Sequence, residues 1–168
     1  MKPSGVPSGV PFAPRDARIL RPYPEELPWD LLLDADPSRE RVERYLGDDY
    51  TRIAKYDDRV IGVYALARHS PTVFELMNIA VAEEFRGTGL GRWLLGHAIG
   101  LAESKGARVV EVGTGNSSFG ALKFYQRAGF RIVGVRPNYF VENYPEPIVE
   151  DGLTCIDMIR LALELTPE

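Results

Sequence analysis

Three glycines fall within six residues, Gly87, Gly89 and Gly91, in the run Arg86-Gly87-Thr88-Gly89-Leu90-Gly91. Glycine removes the side chain where backbone amides must approach a ligand closely. The run follows a strand-like segment and opens a helical one. The amides at a helix start have no intrahelical partner and lie at the positive end of the helix dipole. With Arg86, Thr88, Leu90 and Arg92 filling the run and its exit, this is the make-up of an anion site that suits a diphosphate.

Two common nucleotide motifs do not fit. A P-loop needs Lys-Ser/Thr after its last glycine, and Arg92-Trp93 stands there instead. The dinucleotide fingerprint needs G-x-G-x-x-G inside a parallel βαβ unit, whereas the spacing here is G-x-G-x-G after what reads as an antiparallel meander.

A second stretch with chemical content is the loop Asn138 to Gly152, NYFVENYPEPIVEDG. It holds Glu142, Glu146, Glu150 and Asp151, with no Lys or Arg, and it interleaves Tyr139, Phe140 and Tyr144. Acids among aromatic rings suit a cationic amine, through Coulomb attraction and cation–π contact. The same pattern also describes a solvated acidic loop or a dimer contact. His69 and His97 are isolated, so no metal ligand set is expected. Cys155 sits in an apolar strand pattern and reads as a small buried residue.

The elements that must position these residues follow from periodicity and punctuation. A short edge strand is expected over Ala17–Tyr23, ended by Pro22 and Pro24. Helices are expected near Glu25–Leu33 and Pro37–Leu46, the second with Asp36 as N-cap and Pro37 at its first position. Thr51–Tyr56 and Arg59–Arg68 flank Asp57-Asp58 as a hairpin, and Val73–Val81 completes the meander. From Gly89 to Lys105, Leu90, Leu94, Ala98, Leu101 and Ala102 form one helical stripe, closed by Gly106. Arg108–Val112 reads as a buried strand. Asn116–Ala128 reads as a helix opened by Asn and Ser caps and closed by Gly129. Phe130–Val135 and Leu153–Leu163 read as the last strands, joined by the loop Arg136–Gly152. The order is β-α-α-β-β-β-α-β-α-β-β, a mixed α/β fold. Residues 1–16, rich in Pro, Gly and Ser, read as a mobile or loosely docked arm, and residues 17–168 as one domain.

Met77 to Leu95, MNIAVAEEFRGTGLGRWLL, and Gly115 to Phe130, GNSSFGALKFYQRAGF, occur in that order. They resemble the two signatures of the GNAT superfamily of N-acetyltransferases, and the likeness spans roughly residues 17 to 163. Arg86, Gly89 and Gly91 fit its coenzyme A pyrophosphate loop, R/Q-x-x-G-x-G/A, without a gap. The resemblance implies a single domain with a mixed, mostly antiparallel central sheet flanked by helices and a splayed pair of central strands. It implies acetyl transfer from acetyl-CoA, as co-substrate and without a metal, to an amine.

The resemblance also implies roles by position. Ile79, Ala80 and Val81 would pair with the pantetheine arm through backbone atoms. The amides of Arg86 to Gly91, with Arg92, would hold the pyrophosphate. Asn116 would contact the cofactor arm. In many relatives that asparagine stands seven residues before the tyrosine, a place Ser118 occupies here, so either residue serves or both only cap the helix. Tyr125 matches the family tyrosine beside the coenzyme A sulfur, and a phenol of pKa about 10 suits protonation of a thiolate. The Val81 amide would be the oxyanion donor. Glu111 resembles the base of some relatives, Glu75 could act through water, and many members need no single base. The loop between the last two strands commonly lines the acceptor site, which points to Tyr139, Phe140, Glu142 and Tyr144. The expected acceptor is a cationic small molecule or peptide amine. A coenzyme A-binding sensor without catalysis is the alternative.

The whole chain is consistent with this. Its 168 residues suit one core, and the net charge of −4 does not suggest nucleic acid as partner. No apolar run approaches a membrane span. A single cysteine fits a reducing compartment and a cytoplasmic protein. A homodimer is a family-level expectation.

Overall fold

The computed structural model describes residues 12–47 and 49–166. Most of the proline-rich arm, residues 1–11, lies outside the described residues. Its end is docked: Phe12 meets Tyr56 and Phe85 edge-on at 5.1 and 5.0 Å, and Pro14–Asp16 forms a single 3-10 turn.

Nine strands and five helices follow in the order β1 (Arg18–Leu20), α1 (Trp29–Ala35), α2 (Arg39–Leu46), β2 (Thr51–Tyr56), β3 (Arg59–Arg68), β4 (Val73–Val81), α3 (Leu90–Ser104), β5 (Val109–Gly115), α4 (Phe119–Arg127), β6 (Arg131–Arg136), α5 (Tyr139–Asn143), β7 (Val149–Glu150), β8 (Leu153–Thr154) and β9 (Met158–Glu164). The fold is mixed α/β. Seven strands form one mostly antiparallel sheet in the order β1-β2-β3-β4-β5-β9-β6, and β7 and β8 form a separate hairpin. The parallel pair is β4 with β5, joining Val73 through Leu76 to Val109 through Val112. The chain divides into two compact units. One takes in the described residues through Ala67 together with Met77–Leu101. The other takes in Arg68–Leu76 and the described residues from Ala102 onward.

In the first unit the hairpin β2–β3 turns at Asp57 and Asp58, both left-handed at φ 47° and 60°, the geometry a two-residue turn needs to match strand twist. The stripe on α3 is buried at Leu90, Leu94, Ala98 and Ala102, with Leu95 joining it. Leu94 reaches over Gly62 of β3, where a Cβ would lie 2.7 Å from its Cδ1.

Several expected boundaries shift, each for a local reason. The first expected helix is split. Pro24–Glu26 makes a 3-10 turn and α1 starts only after Pro28, since proline is tolerated at a helix start and not inside. Ser38, not Asp36, caps α2: its Oγ accepts from the Arg41 amide at 3.4 Å, while Asp36 ends α1 and accepts from the Ser38 amide. The helix expected from Asn116 begins at Phe119, and neither Asn116 nor Ser118 caps it with a side chain. The loop 136–152 contains α5 and β7. The last strand is broken between Thr154 and Met158, where the Asn116 side chain takes the amides of Ile156 and Asp157.

Candidate active site

In the first unit, β4 leads through a 3-10 turn at Glu83–Phe85 into the glycine run and α3. Gly87 and Gly89 sit at φ 76° and 89°, the left-handed region that costs a residue with a Cβ about 1–2 kcal/mol. An added Cβ at Gly87 would meet only open space, so conformation alone requires glycine there. Thr88 pins the turn: its hydroxyl donates to the Phe85 carbonyl at 2.5 Å and accepts from the Leu90 amide at 3.4 Å. The amides of the first turn of α3 are thereby gathered at the positive end of a fifteen-residue helix. That is a cradle for a diphosphate.

The charge around the cradle is distributed differently from the sequence expectation. The Arg86 guanidinium turns back, donating to the Val81 carbonyl at 3.3 Å and pairing with Asp34 of α1 at 2.9 Å. It fastens the turn to β4 and α1, leaving its charge matched. Arg92 is exposed and lines a groove of about 510 Å³ with Gly89, Trp93, Gly96 and His97. His97 is tied to the buried Tyr64 hydroxyl at 2.8 Å, and partial burial, with Arg52 nearby, holds its pKa below the usual imidazole value.

Ile79, Ala80 and Val81 end β4 and are all half-buried. Ala82 donates its amide to Ile61 of β3 at 2.8 Å. Backbone groups alternate sides along an extended strand, so the Val81 amide points away from β3. Below them sits Asn78, only 4% exposed, which donates to the Leu32 carbonyl and the Tyr45 hydroxyl at 3.0 and 2.9 Å. Asn78 ties α1 and α2 to β4. Its position in the buried phase of β4, with Phe74 and Leu76, marks it in the sequence as a polar residue that must have partners.

In the second unit, Tyr125 of α4 is 7% exposed, with Phe124 and Phe130 edge-on at 5.2 and 5.7 Å. Burial raises its pKa well above that of a free phenol. Glu75 of β4 and Glu111 of β5 are register partners, and Arg160 of β9 binds both. Its Nη1 and Nη2 reach the two oxygens of Glu75 at 3.3 and 3.1 Å, and Nη2 also reaches Glu111 at 3.2 Å. His69 adds a contact to Glu75 at 3.1 Å. Burial alone would raise the pKa of Glu75, but the Arg160 and His69 contacts outweigh it and the net shift is downward. Gly113 makes room for this clamp: a Cβ there would lie 2.7 Å from Arg160 Nη1 and 2.5 Å from Met158 Sδ. Arg160 was not among the residues singled out from sequence, although an arginine in an apolar strand pattern is the available signal.

Asn116 is occupied on both ends. Its Oδ1 accepts from Ile156 and Asp157 at 2.7 and 3.0 Å and its Nδ2 donates to Thr154 at 3.3 Å. Ser118 donates to Glu150. Both residues hold the segment 150–157 in place. Within the acceptor-loop candidate, Tyr139 and Phe140 meet edge-on at 5.2 Å and Phe140 stacks on Tyr144 at 5.8 Å. All three rings are half-buried and Glu142 is exposed beside them. Cys155 is buried, which raises its thiol pKa. Among the described residues no cluster of three or more His, Cys, Asp or Glu could hold a metal, and no helix is long and apolar enough to cross a membrane.

The sequence model of the acetyltransferase (GNAT) family matches residues 16–130. The chain is 45% identical over 139 residues to the uncharacterized N-acetyltransferase YvbK of Bacillus subtilis (strain 168), covering 82% of this chain and 88% of that one. It superposes on the crystal structure of a GNAT family acetyltransferase from Elizabethkingia anophelis with acetyl-CoA bound, at a TM-score of 0.86 and 44% identity, covering 89% of this chain and 99% of that one. It is likewise similar to the IAA acetyltransferase from Bacillus cereus ATCC 14579, with a TM-score of 0.84, 47% identity and the same coverage.

Proposed function

The chain belongs to the acetyltransferase (GNAT) family, and from that premise we propose that it acetylates a cationic primary amine, with Tyr125 as general acid. The reaction class comes with the family: the chain is an N-acetyltransferase and acetyl-CoA is its co-substrate. The observation that carries the reading is the turn Arg86–Gly91, with Gly87 and Gly89 left-handed at the start of α3.

Each residue has a task. The amides of residues 87–92 hold the pyrophosphate, and Ile79 to Val81 pair with the pantetheine arm along the edge of β4. The Val81 amide donates to the carbonyl oxygen as charge builds on it, an interaction that strengthens toward the transition state. The neutral amine forms the new C–N bond as the C–S bond breaks, and Tyr125 gives its proton to the departing sulfur. A proton held by a buried phenol is available for this at any working pH. The amine's own proton leaves to water. Glu75, held at both oxygens by Arg160, is poorly placed to accept it. Glu111, held at one oxygen, is the better base of the two. Tyr139, Phe140 and Tyr144 offer ring surface and Glu142 a negative charge to a cationic acceptor.

The test is thiol release from acetyl-CoA over a panel of polyamines, aminoglycosides, amino acids and short peptides, beside Tyr125→Phe. IAA, on which the Bacillus cereus relative acts by its name, belongs in the panel. Turnover confined to cationic amines, with an acceptor KM raised by Glu142→Gln, supports the reading. Turnover on neutral or acidic acceptors alone overturns the cationic acceptor, and full activity in Tyr125→Phe overturns its role as acid.

A further inference from the structure

Among the described residues, ten large apolar side chains are exposed, and apart from Tyr23 and Trp93 all of them belong to the second unit. They concentrate on two elements. The first is β6, the last strand of the seven-stranded sheet, which exposes Ile132, Val133 and Val135 at 53, 65 and 52%. The pairing of β6 with β9 skips Val133, a bulge that turns it out of the ladder. An edge strand with three bare β-branched residues is the kind of surface proteins otherwise blunt or cover. The second element is the β7–β8 hairpin, two residues a side, with Val149 and Leu153 exposed at 60 and 46%. So small a hairpin has little stability of its own. It is held at its base by Ser118 on Glu150 and by the Cys155 amide on the Ile148 carbonyl at 2.7 Å, yet its apolar side chains stay bare.

The charges on the two surfaces are opposite. Exposed Arg131 and Arg136 flank the apolar stretch of β6, and exposed Glu146, Glu150 and Asp151 flank that of the hairpin. Like surfaces repel: β6 against β6 would bring arginines together, and hairpin against hairpin would bring acids together. Hairpin against β6 matches apolar to apolar and acid to base, and a two-fold axis makes that contact twice. We propose that this is the interface with a second copy of this chain, the β7–β8 hairpin of each protomer lying on β6 of its partner.

The test is the molar mass of the full chain by size-exclusion chromatography with light scattering. Wild type is expected at twice the monomer mass. Arg131→Glu/Arg136→Glu is expected at the monomer mass, and Glu146→Lys is expected to shift toward it. Mixing the two variants is expected to restore the dimer, because each then supplies the charge the other lacks. All three positions are exposed, and an unchanged acetyl-CoA-induced shift in Tm shows that the variants are folded. A wild-type monomer across the accessible concentrations overturns the proposal. A dimer indifferent to both variants overturns this choice of surface.

Discussion

Glu75 and Arg160 form a two-point ion pair across the second unit, with both guanidinium nitrogens on both carboxylate oxygens at 3.1–3.3 Å and side-chain exposures of 14 and 10%. Glu111 shares the same nitrogen as Glu75 Oε1. Two carboxylates and one cation, largely out of water, make Arg160 the group on which the cluster depends. Removing one partner of a buried pair costs about 3–5 kcal/mol, because the other charge is left unmatched. Arg160→Met is therefore expected to lower the urea midpoint by an amount in that range, less a discount for the partial exposure of Glu111. Adding Glu75→Leu should recover much of it. Equal losses in the single and double variants would show that packing around Met158, not charge, is at stake.

The same clamp sets an acid dependence. The folded-state pKa of Glu75 lies below its ordinary value of 4.5, so the folded protein binds fewer protons there than the unfolded chain. Its contribution to stability is complete above the unfolded value and fades as pH falls through the folded one. Stability measured downward from about pH 4.5 should fall less steeply in Glu75→Gln than in wild type. Parallel curves would remove Glu75 from the account.

Tyr125→Phe should lower kcat by about 10²–10⁴-fold, the usual weight of a positioned acid, with little change in Tm. The ring keeps its edge contacts with Phe124 and Phe130 and loses only the hydroxyl. Burial raises the Tyr125 pKa, so the phenol stays protonated up to and beyond about pH 10. The pH–rate profile should then show no alkaline limb that disappears in Tyr125→Phe. Such a limb would mean that the phenol titrates in the working range.

Much of this was legible from local rules. β2, β3 and β4 have the bounds expected from alternation and the Asp57-Asp58 turn, and α3 differs from expectation by one residue at each end. Those elements are long and strongly periodic. The misplaced features depend on side chains meeting partners far away in sequence. Asn116 reads as a cap because asparagine before a helix usually is one, yet its bonds go forty residues on to Ile156 and Asp157. Arg160 reads as one polar residue in an apolar strand, and only the pairing of β4, β5 and β9 brings it to Glu75 and Glu111. Arg86 reads as a phosphate ligand from its neighbours, but Asp34 takes its charge.

Gly87 separates backbone conformation from bulk. A Cβ there meets nothing within 4 Å, but φ is 76°. Gly87→Ala should therefore cost about 1–2 kcal/mol in the turn, read as a rise of about tenfold in the acetyl-CoA Kd. Gly87→Asn should cost less, because asparagine tolerates the left-handed region. Equal losses in the two variants would point to a clash with the bound co-substrate instead.

Asn116→Ala removes the two bonds to the amides of Ile156 and Asp157 and the one to the Thr154 carbonyl. Leaving such groups without partners costs about 1–3 kcal/mol where they are buried. Ile156 is exposed and water can replace part of the loss, so the lower end is expected for global stability. The local effect should be larger. Phe140 donates its amide to the Ile156 carbonyl at 3.0 Å, and the Asn138 amide donates to Asp157 at 2.9 Å, so freeing the corner 154–157 also frees the start of α5. Amide hydrogen exchange should speed up at Ile156, Asp157, Asn138 and Phe140 while α4 stays protected. Asn116→Asp, which keeps an oxygen for both amides, should retain most of that protection. If α4 exchanges faster in Asn116→Ala, the residue supports the helix start after all, and the corner is held by its backbone alone.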